Sequence, residues 1–246
     1  MTYFTRFPIN MTRRETRSML ASPYKLHAAV AGSLPPKQGV SADTDRALWR
    51  VDRQLDGSAL LYIVSSPKPS LIGLDEQMGF PDLEPQWATR DYDPFLEQVK
   101  EGQRYLFRLV ANPVVSRKAM PNGRGDSKRI GHLTILQQAA WLAGKEAYAG
   151  SDKEVPELFA NQDISRAERN GFAICSNEPE RGCSLIVSDS RKVSFKKSGG
   201  RTITLTTARY DGILEVIDAD ALRHALTHGI GHAKGFGCGL LTLVPY

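Results

Sequence analysis

The chain has 246 residues, of which 41% are hydrophobic and 24% charged, an ordinary composition for one large globular domain or two of common size. No apolar run approaches the ~20 residues that span a membrane, and the N-terminus lacks the apolar segment of a secretory signal. Three cysteines without Cys-x-x-Cys spacing argue against a disulfide framework and that kind of zinc site, and the net charge of +5 is compatible with a polyanionic partner.

The first half of the chain predicts a strand, two helices and a hairpin. Residues 1–9 alternate as a strand does. Asn10 or Thr12 is a candidate cap for a first helix, and Ser22-Pro23 predicts the start of a second that ends at Gly32.

A hairpin and a short helix are expected next. Residues 48–55 and 59–64 predict two strands joined at Asp56-Gly57, a strong turn signal. Residues 70–78 are compatible with a short helix. We interpret residues 80–101, which are rich in proline and charge, as the connection between two domains, in which a fourth strand stays uncertain.

The second half repeats this order. Residues 104–111 predict a strand, 113–130 a basic polar loop and 133–149 a helix. Asp218 is a candidate cap for a helix over 219–228 that leads to a last strand. The other strand candidates cover residues 172–175, 184–187, 191–195 and 202–207, with a turn at 198–200, and residues 212–217 extend the last of these strands.

Two successive β-α-β-β-α-β patterns predict an α+β fold made of two tandem ferredoxin-like (RRM-like) domains. The predicted boundaries are 1–95 and 102–246.

Five glycines fall within the eleven positions 229–239, before the final apolar run. Exposed N–H groups in such a loop can form a nest for an anion, and Lys234 adds a point charge suited to phosphate. Gly235 stands where a Walker loop has serine or threonine, and the loop leads into a strand. These features argue against a nucleotide-binding protein and leave a plain turn as the alternative.

Three segments together resemble the CasE family of CRISPR RNA-processing endoribonucleases from type I-E systems. They are GIGHAKGFGCGLLTL from Gly229, the Tyr24-x-x-His27 segment, and LFRLVANP from Leu106. They lie in the same order as in that family, over nearly the whole chain. Members have the tandem ferredoxin-like arrangement, so the resemblance favours that fold here.

His27 is the candidate catalytic residue, because imidazole exchanges a proton near neutral pH. Tyr24 lies one helical turn earlier, and Lys25 adds charge at a helix N-terminus that favours phosphate. Such a set suits cleavage of RNA by its own 2′-hydroxyl. The resemblance implies His27 as general acid or base with Tyr24 as its partner. The alternative is a surface histidine beside a packing tyrosine.

A second basic element is predicted at residues 191–201. The resemblance implies that it grips the stem of the repeat hairpin, whereas a solvated turn is the alternative. No stacking-aromatic signature is present, which argues against recognition of single strands on a sheet face. The predicted RNA contacts are Lys25, Arg191, Lys192, Lys196, Lys197, Arg201, Gly229, Gly231, Lys234, Gly235 and Gly237.

His224, His228 and His232 recur at four-residue spacing, but Gly229 and Gly231 interrupt a helix there. We therefore predict no metal site and no cofactor. The expected function is a metal-independent endoribonuclease that cuts the repeat hairpin of precursor CRISPR RNA. The alternative is a non-catalytic scaffold that binds the hairpin. The implied partners are the repeat RNA and other subunits of the type I-E Cascade complex, in the cytoplasm and without a membrane.

Overall fold

The structure, a computed structural model of the chain, describes residues 1–35, 47–84, 86–117, 128–175, 184–197 and 199–246. Over these ranges the fold is mixed α/β, with antiparallel sheets packed against helices. None of the helices in these ranges is both long and apolar enough to cross a membrane.

The N-terminal half forms one four-stranded antiparallel sheet. Its elements are β1 (Tyr3–Ile9), α1 (Arg14–Leu20), α2 (Pro23–Gly32), β2 (Leu48–Arg53), β3 (Ala59–Ser65), α3 (Ile72–Met78) and β4 (Ala88–Asp91). The strand order is β2-β3-β1-β4. Phe7 and Ile9 of β1 join Leu26 and Val30 of α2 in a common core. The turn predicted at Asp56-Gly57 is confirmed, because the Gln54 N–H donates to the Ser58 carbonyl at 2.9 Å.

The C-terminal half is built around a second antiparallel sheet. Its elements are α4 (Asp93–Gln98), β5 (Arg104–Ala111), β6 (Val114–Arg117), β7 (Lys128–Gly131), α5 (Ile135–Ala143), α6 (Glu157–Ala160), α7 (Arg166–Arg169), β8 (Phe172–Ile174), β9 (Leu185–Lys196), β10 (Thr202–Val216), α8 (Ala219–His228) and β11 (Leu241–Pro245). The strand order is β11-β5-β10-β8, and β9 also pairs with β10, while β6 and β7 form a separate hairpin.

The two halves share a buried contact. Leu48 and Val64 of the first sheet belong to the same apolar cluster as Leu109 of the second. Arg50, only 2% exposed, donates to both carboxylate oxygens of Asp52 at 2.7 and 2.9 Å. The same guanidinium reaches the carbonyls of Arg108 and Leu240 and the Thr242 hydroxyl. A buried charge with its donors satisfied in this way fixes β2 against β5 and β11.

Residues 80–101 are more than a connection between two domains. They contain β4, which pairs with β1 from Tyr3 opposite Asp91 to Arg6 opposite Ala88, and also α4. The strand lies at the sheet edge and its side chains are mostly exposed. It therefore needs no apolar alternation, which is why its pattern gave no firm signal.

Two predicted short strands are parts of one longer strand, since the candidates at 184–187 and 191–195 both belong to β9. The strand predicted over 202–207 and its extension over 212–217 form β10, as expected. The pairing register shifts between Thr207 and Arg209, and an irregularity of this kind breaks the alternation on which the prediction depended.

Three further local predictions need correction. The first helix has Arg13 at its N-cap position without a side-chain cap, because the Asn10 side chain instead accepts from Thr12. The predicted loop 113–130 carries β6 and β7 at its ends, and its residues 118–127 lie outside the described part. The helix expected over 133–149 ends at Ala143 and continues as a 3₁₀ turn to Tyr148.

Candidate functional site

The start of α2 is encoded locally, as predicted. Ser22 occupies the N-cap with its hydroxyl 3.5 Å from the Lys25 N–H, and Pro23 is the first helical residue. Serine and proline favour these two positions. This start places Tyr24 in the first turn and His27 one turn later, and the first turn contains no acidic residue.

The glycine loop, residues 229–239, meets α2 at His27. A Cβ built on Gly235 would lie 3.5 Å from Cε1 and 3.6 Å from Nδ1 of the imidazole. The ring of Phe236 approaches the imidazole edge-on, with centroids 6.2 Å apart and an interplanar angle of 64°. The structure thus brings two candidate elements together that lie about two hundred residues apart in the sequence, His27 and the glycine loop.

Hydrogen bonds and left-handed residues fix the shape of the glycine loop. Ala233 has φ 63° and Gly237 has φ 80°, and they flank a 3₁₀ turn over Lys234–Phe236. The Phe236 N–H donates to the Ala233 carbonyl at 2.8 Å. The Gly239 N–H donates to the Val110 carbonyl of β5 at 2.7 Å. The loop is thus tied to the C-terminal sheet while it touches α2.

Three of the predicted RNA-contact glycines also serve packing. A Cβ on Gly237 would lie 2.6 Å from Cζ3 of Trp49, one on Gly231 2.9 Å from Cζ2 of Trp141, and one on Gly229 2.8 Å from a methyl of Leu48. Real Cβ atoms do not tolerate such distances, so each position needs glycine for close approach.

The basic hairpin, residues 191–201, is confirmed as a hairpin. Lys196 pairs with Thr202, and Lys192 with Thr206. The turn is closed by the Lys197 N–H, which donates to the Arg201 carbonyl at 2.9 Å. The side chains of Arg191, Lys192, Lys196, Lys197 and Arg201 are all exposed. They form a dense positive surface at one end of the C-terminal sheet.

Phe195 connects the basic hairpin to the glycine loop. Its side chain is 6% exposed, and its ring meets that of Phe236 with centroids 4.9 Å apart at 60°. Both phenylalanines were missed as site residues. An apolar residue among lysines, and another among glycines, is the sequence signal that marks them.

Tyr24 and Lys25 face the neighbouring helix α3. They line a groove of about 550 Å³ with Ala28, Gly32 and Gly73, where α2 faces α3. Neither His27 nor the glycine loop belongs to the lining of this groove within the described part. The Lys25 ammonium donates to the Ser18 hydroxyl at 2.9 Å. The structure therefore brings His27 to the loop and leaves Tyr24 and Lys25 beside that contact.

The surroundings of the loop are electropositive. Burial, followed by the charges of Arg129, Arg166 and Lys234, lowers the pKa of His232. Sequence reasoning had not placed Arg166 near this loop. Its guanidinium lies over the Trp141 ring at 4.4 Å from the centroid, and Gly231 packs on the same indole. A positively charged site of this kind favours the binding of phosphate.

The three histidines do not form one cluster. His224 and His228 stack with centroids 4.0 Å apart at the end of α8, and the helix stops there because Gly229 has φ 75°. Within the described ranges, no group of three or more histidine, cysteine or acidic residues is arranged to hold a metal ion.

Comparison with known proteins agrees with this geometry. The profile of a family described as CRISPR associated protein matches residues 2–245. The CRISPR-associated endoribonuclease Cse3 of Thermus thermophilus is 26% identical over 248 residues, covering 99% of this chain and 100% of the relative. The CRISPR system Cascade subunit CasE of Escherichia coli is 26% identical over 153 residues, covering 60% of this chain and 61% of that subunit.

The fold is also shared with a solved structure. CRISPR endoribonuclease Cse3 bound to 19 nt RNA matches with a TM-score of 0.69 at 24% identity, covering 99% of both chains. Since the family profile extends over nearly the whole sequence, this chain belongs to the family of CRISPR associated proteins.

Proposed function

We propose that this protein is an endoribonuclease that cleaves the repeat hairpin of precursor CRISPR RNA into mature guide RNAs. The contact of His27 with Gly235 and Phe236 carries the proposal. It places a proton-transfer group against an electropositive loop, within reach of an exposed basic hairpin. The relative of matching length is named a CRISPR-associated endoribonuclease.

The chemistry needs only a proton acceptor, a proton donor and stabilisation of phosphate charge. A base removes the 2′ proton, the 2′-oxygen attacks the adjacent phosphorus, and an acid protonates the leaving 5′-oxygen. The products are a 2′,3′-cyclic phosphate and a 5′-hydroxyl, without a metal or cofactor. His27 acts as the acid or the base. Free N–H groups at the start of α2 stabilise the phosphate.

Tyr24 is the proposed partner of His27 in positioning or proton transfer. Its place in the α2–α3 groove requires its hydroxyl to reach the scissile nucleotide from the side of the helix. The second candidate function is a scaffold that binds the hairpin without cutting it, a role that the exposed basic hairpin serves without Tyr24 or His27.

RNA affinity is assigned to the exposed cations. Arg191, Lys192, Lys196, Lys197 and Arg201 grip the stem, while Lys234 and the loop N–H groups contact phosphates near the bend. The half-buried position of Lys234 beside Gly239 supports a role close to the scissile site. Lys25, at the mouth of the groove, contacts the flanking strand.

We assign the architecture to two tandem ferredoxin-like units, over 1–95 and 102–246. The first sheet has the order β4-β1-β3-β2, and β11, β5, β10 and β8 follow the same order in the second. A β-α-β-β-α-β chain path produces this order.

The protein is further proposed to keep its product and to act as a Cascade subunit in the cytoplasm. The Escherichia coli relative is named a Cascade subunit, and three cysteines without a disulfide pattern fit a reducing compartment.

The test uses a labelled stem-loop repeat in excess EDTA, with the wild-type chain and His27→Ala. The enzyme is supported by wild-type cleavage that persists in EDTA and is lost in the variant while binding is kept. Tight binding by the wild type without a cut would instead establish the scaffold, and a cut abolished by EDTA would overturn metal independence.

A further inference from the structure

Phe236 lies between His27, the candidate catalytic residue, and β9, the strand that carries the basic hairpin. Its ring meets the His27 imidazole edge-on at 6.2 Å on one side and the Phe195 ring at 4.9 Å on the other. One side chain therefore joins α2 to β9.

The backbone holds Phe236 in this place. It is the last residue of a 3₁₀ turn flanked by left-handed Ala233 and Gly237, and its own N–H donates to Ala233. Gly237 is pressed against the Trp49 ring, which belongs to the core of the N-terminal half. Backbone hydrogen bonds and packing of the neighbouring residues therefore fix the position of the Phe236 ring.

Phe195 occupies the inner face of the strand that carries the lysines. Successive side chains of a strand point to opposite faces. Phe195 is buried, whereas its neighbours Ser194 and Lys196 are exposed. Lys192 and Lys196, two of the cations assigned to RNA, therefore lie on the face of β9 opposite to Phe195, whereas Arg191 shares the face of Phe195.

We propose that Phe236 is a positioning residue that sets the orientation of the His27 imidazole and its distance from the basic hairpin. The proposal rests on the proposed endoribonuclease function. Gly235 presents no side chain to the imidazole, so the Phe236 ring is the apolar group beside it in the loop. Without that ring the imidazole samples more orientations, and fewer bound complexes hold reactive geometry.

The experiment measures single-turnover cleavage and equilibrium binding of one stem-loop repeat by the full chain. Phe236→Ala is expected to lower the cleavage rate constant tenfold or more, with Kd changed less than twofold. Phe236→Leu, which keeps most of the volume, should fall between the alanine variant and wild type. Phe195→Ala should lower the rate constant less than Phe236→Ala. The double variant should be within twofold of Phe236→Ala, because Phe195 acts through the same contact.

Two readouts separate positioning from a general loss of structure. A destabilised variant cleaves a smaller final fraction of RNA at an unchanged rate constant, whereas a mispositioned imidazole changes the rate constant itself. Val244→Ala, an exposed change in the strand after the loop, should leave rate constant, final fraction and Kd unchanged.

Each contrary result has a distinct meaning. A wild-type rate constant in Phe236→Ala would overturn the positioning role. It would leave the proposed cleavage function standing, because the wild-type chain still cuts the RNA. The positioning role would also be overturned if RNA binding weakened as much as the rate constant fell. It would likewise be overturned if the rate reductions of Phe195→Ala and Phe236→Ala multiplied in the double variant, as independent effects do. A wild-type chain that binds RNA without cutting it would overturn the proposed function as well.

Discussion

The glycine loop and the basic hairpin turn are both glycine-containing turns of the C-terminal half, yet their surroundings are opposite. Gly237 in the loop and Gly200 in the hairpin have the same φ of 80°. A Cβ on Gly237 would lie 2.6 Å from Trp49, whereas one on Gly200 would meet nothing within 4 Å. The loop glycine is required by packing, and the hairpin glycine by conformation alone.

This difference implies a division of tasks. The loop is tied to β5 through Gly239 and is followed by Leu240, whose carbonyl accepts from the buried Arg50. The hairpin presents its cations to solvent. A rigid, half-buried element suits the positioning of reacting groups, and an exposed basic element suits adjustable contact with phosphates. We therefore expect loop changes to alter the rate of cleavage, and hairpin changes to alter affinity.

The largest effect is expected from alanine at the two matched glycines. Both variants carry the cost of a left-handed alanine, about 1 to 2 kcal/mol. Gly237→Ala also forces Trp49 to move, and overpacking of this kind costs a further ~1 to 3 kcal/mol. Urea denaturation should show this difference in the free energy of unfolding, and single-turnover cleavage should be slower in Gly237→Ala only. Equal losses in the two variants would remove the distinction between loop and hairpin.

A smaller effect is expected from removing charge at the hairpin. The triple variant of Lys192, Lys196 and Lys197 to alanine should weaken RNA binding roughly tenfold or more at low salt. The slope of log K against log salt should fall by up to about 3, because each lysine removed leaves one phosphate without its cation. The rate constant at saturating RNA should remain within twofold of wild type. An unchanged salt slope would show that the stem binds elsewhere.

Local signals in the sequence were sufficient for part of the fold. Ser22-Pro23 predicts the start of α2, and Asp56-Gly57 predicts the hairpin of β2 and β3, because capping and turn preferences act over a few residues. The edge strand β4 stayed uncertain, and β9 was predicted as two separate strands. β4 forms by pairing with the distant β1, and β9 follows its neighbour β10 through a shift in register, so neither strand depends on its own alternation alone.

The candidate site was predictable to a similar extent. The resemblance singled out both His27 and the glycine loop, and the structure places them in contact at Gly235. The contact of Phe236 with Phe195 was not predictable, because it joins residues of separate elements through tertiary packing. The same holds for Tyr24, since its position depends on how α3 packs against α2.

The most direct test of the central claim uses a repeat hairpin with a single 2′-deoxy nucleotide immediately before the cut. If the site uses the 2′-hydroxyl of the RNA as nucleophile, the wild-type chain will bind this hairpin as tightly as the all-ribose one and leave it uncut. Cleavage of both hairpins at the same rate would contradict the account.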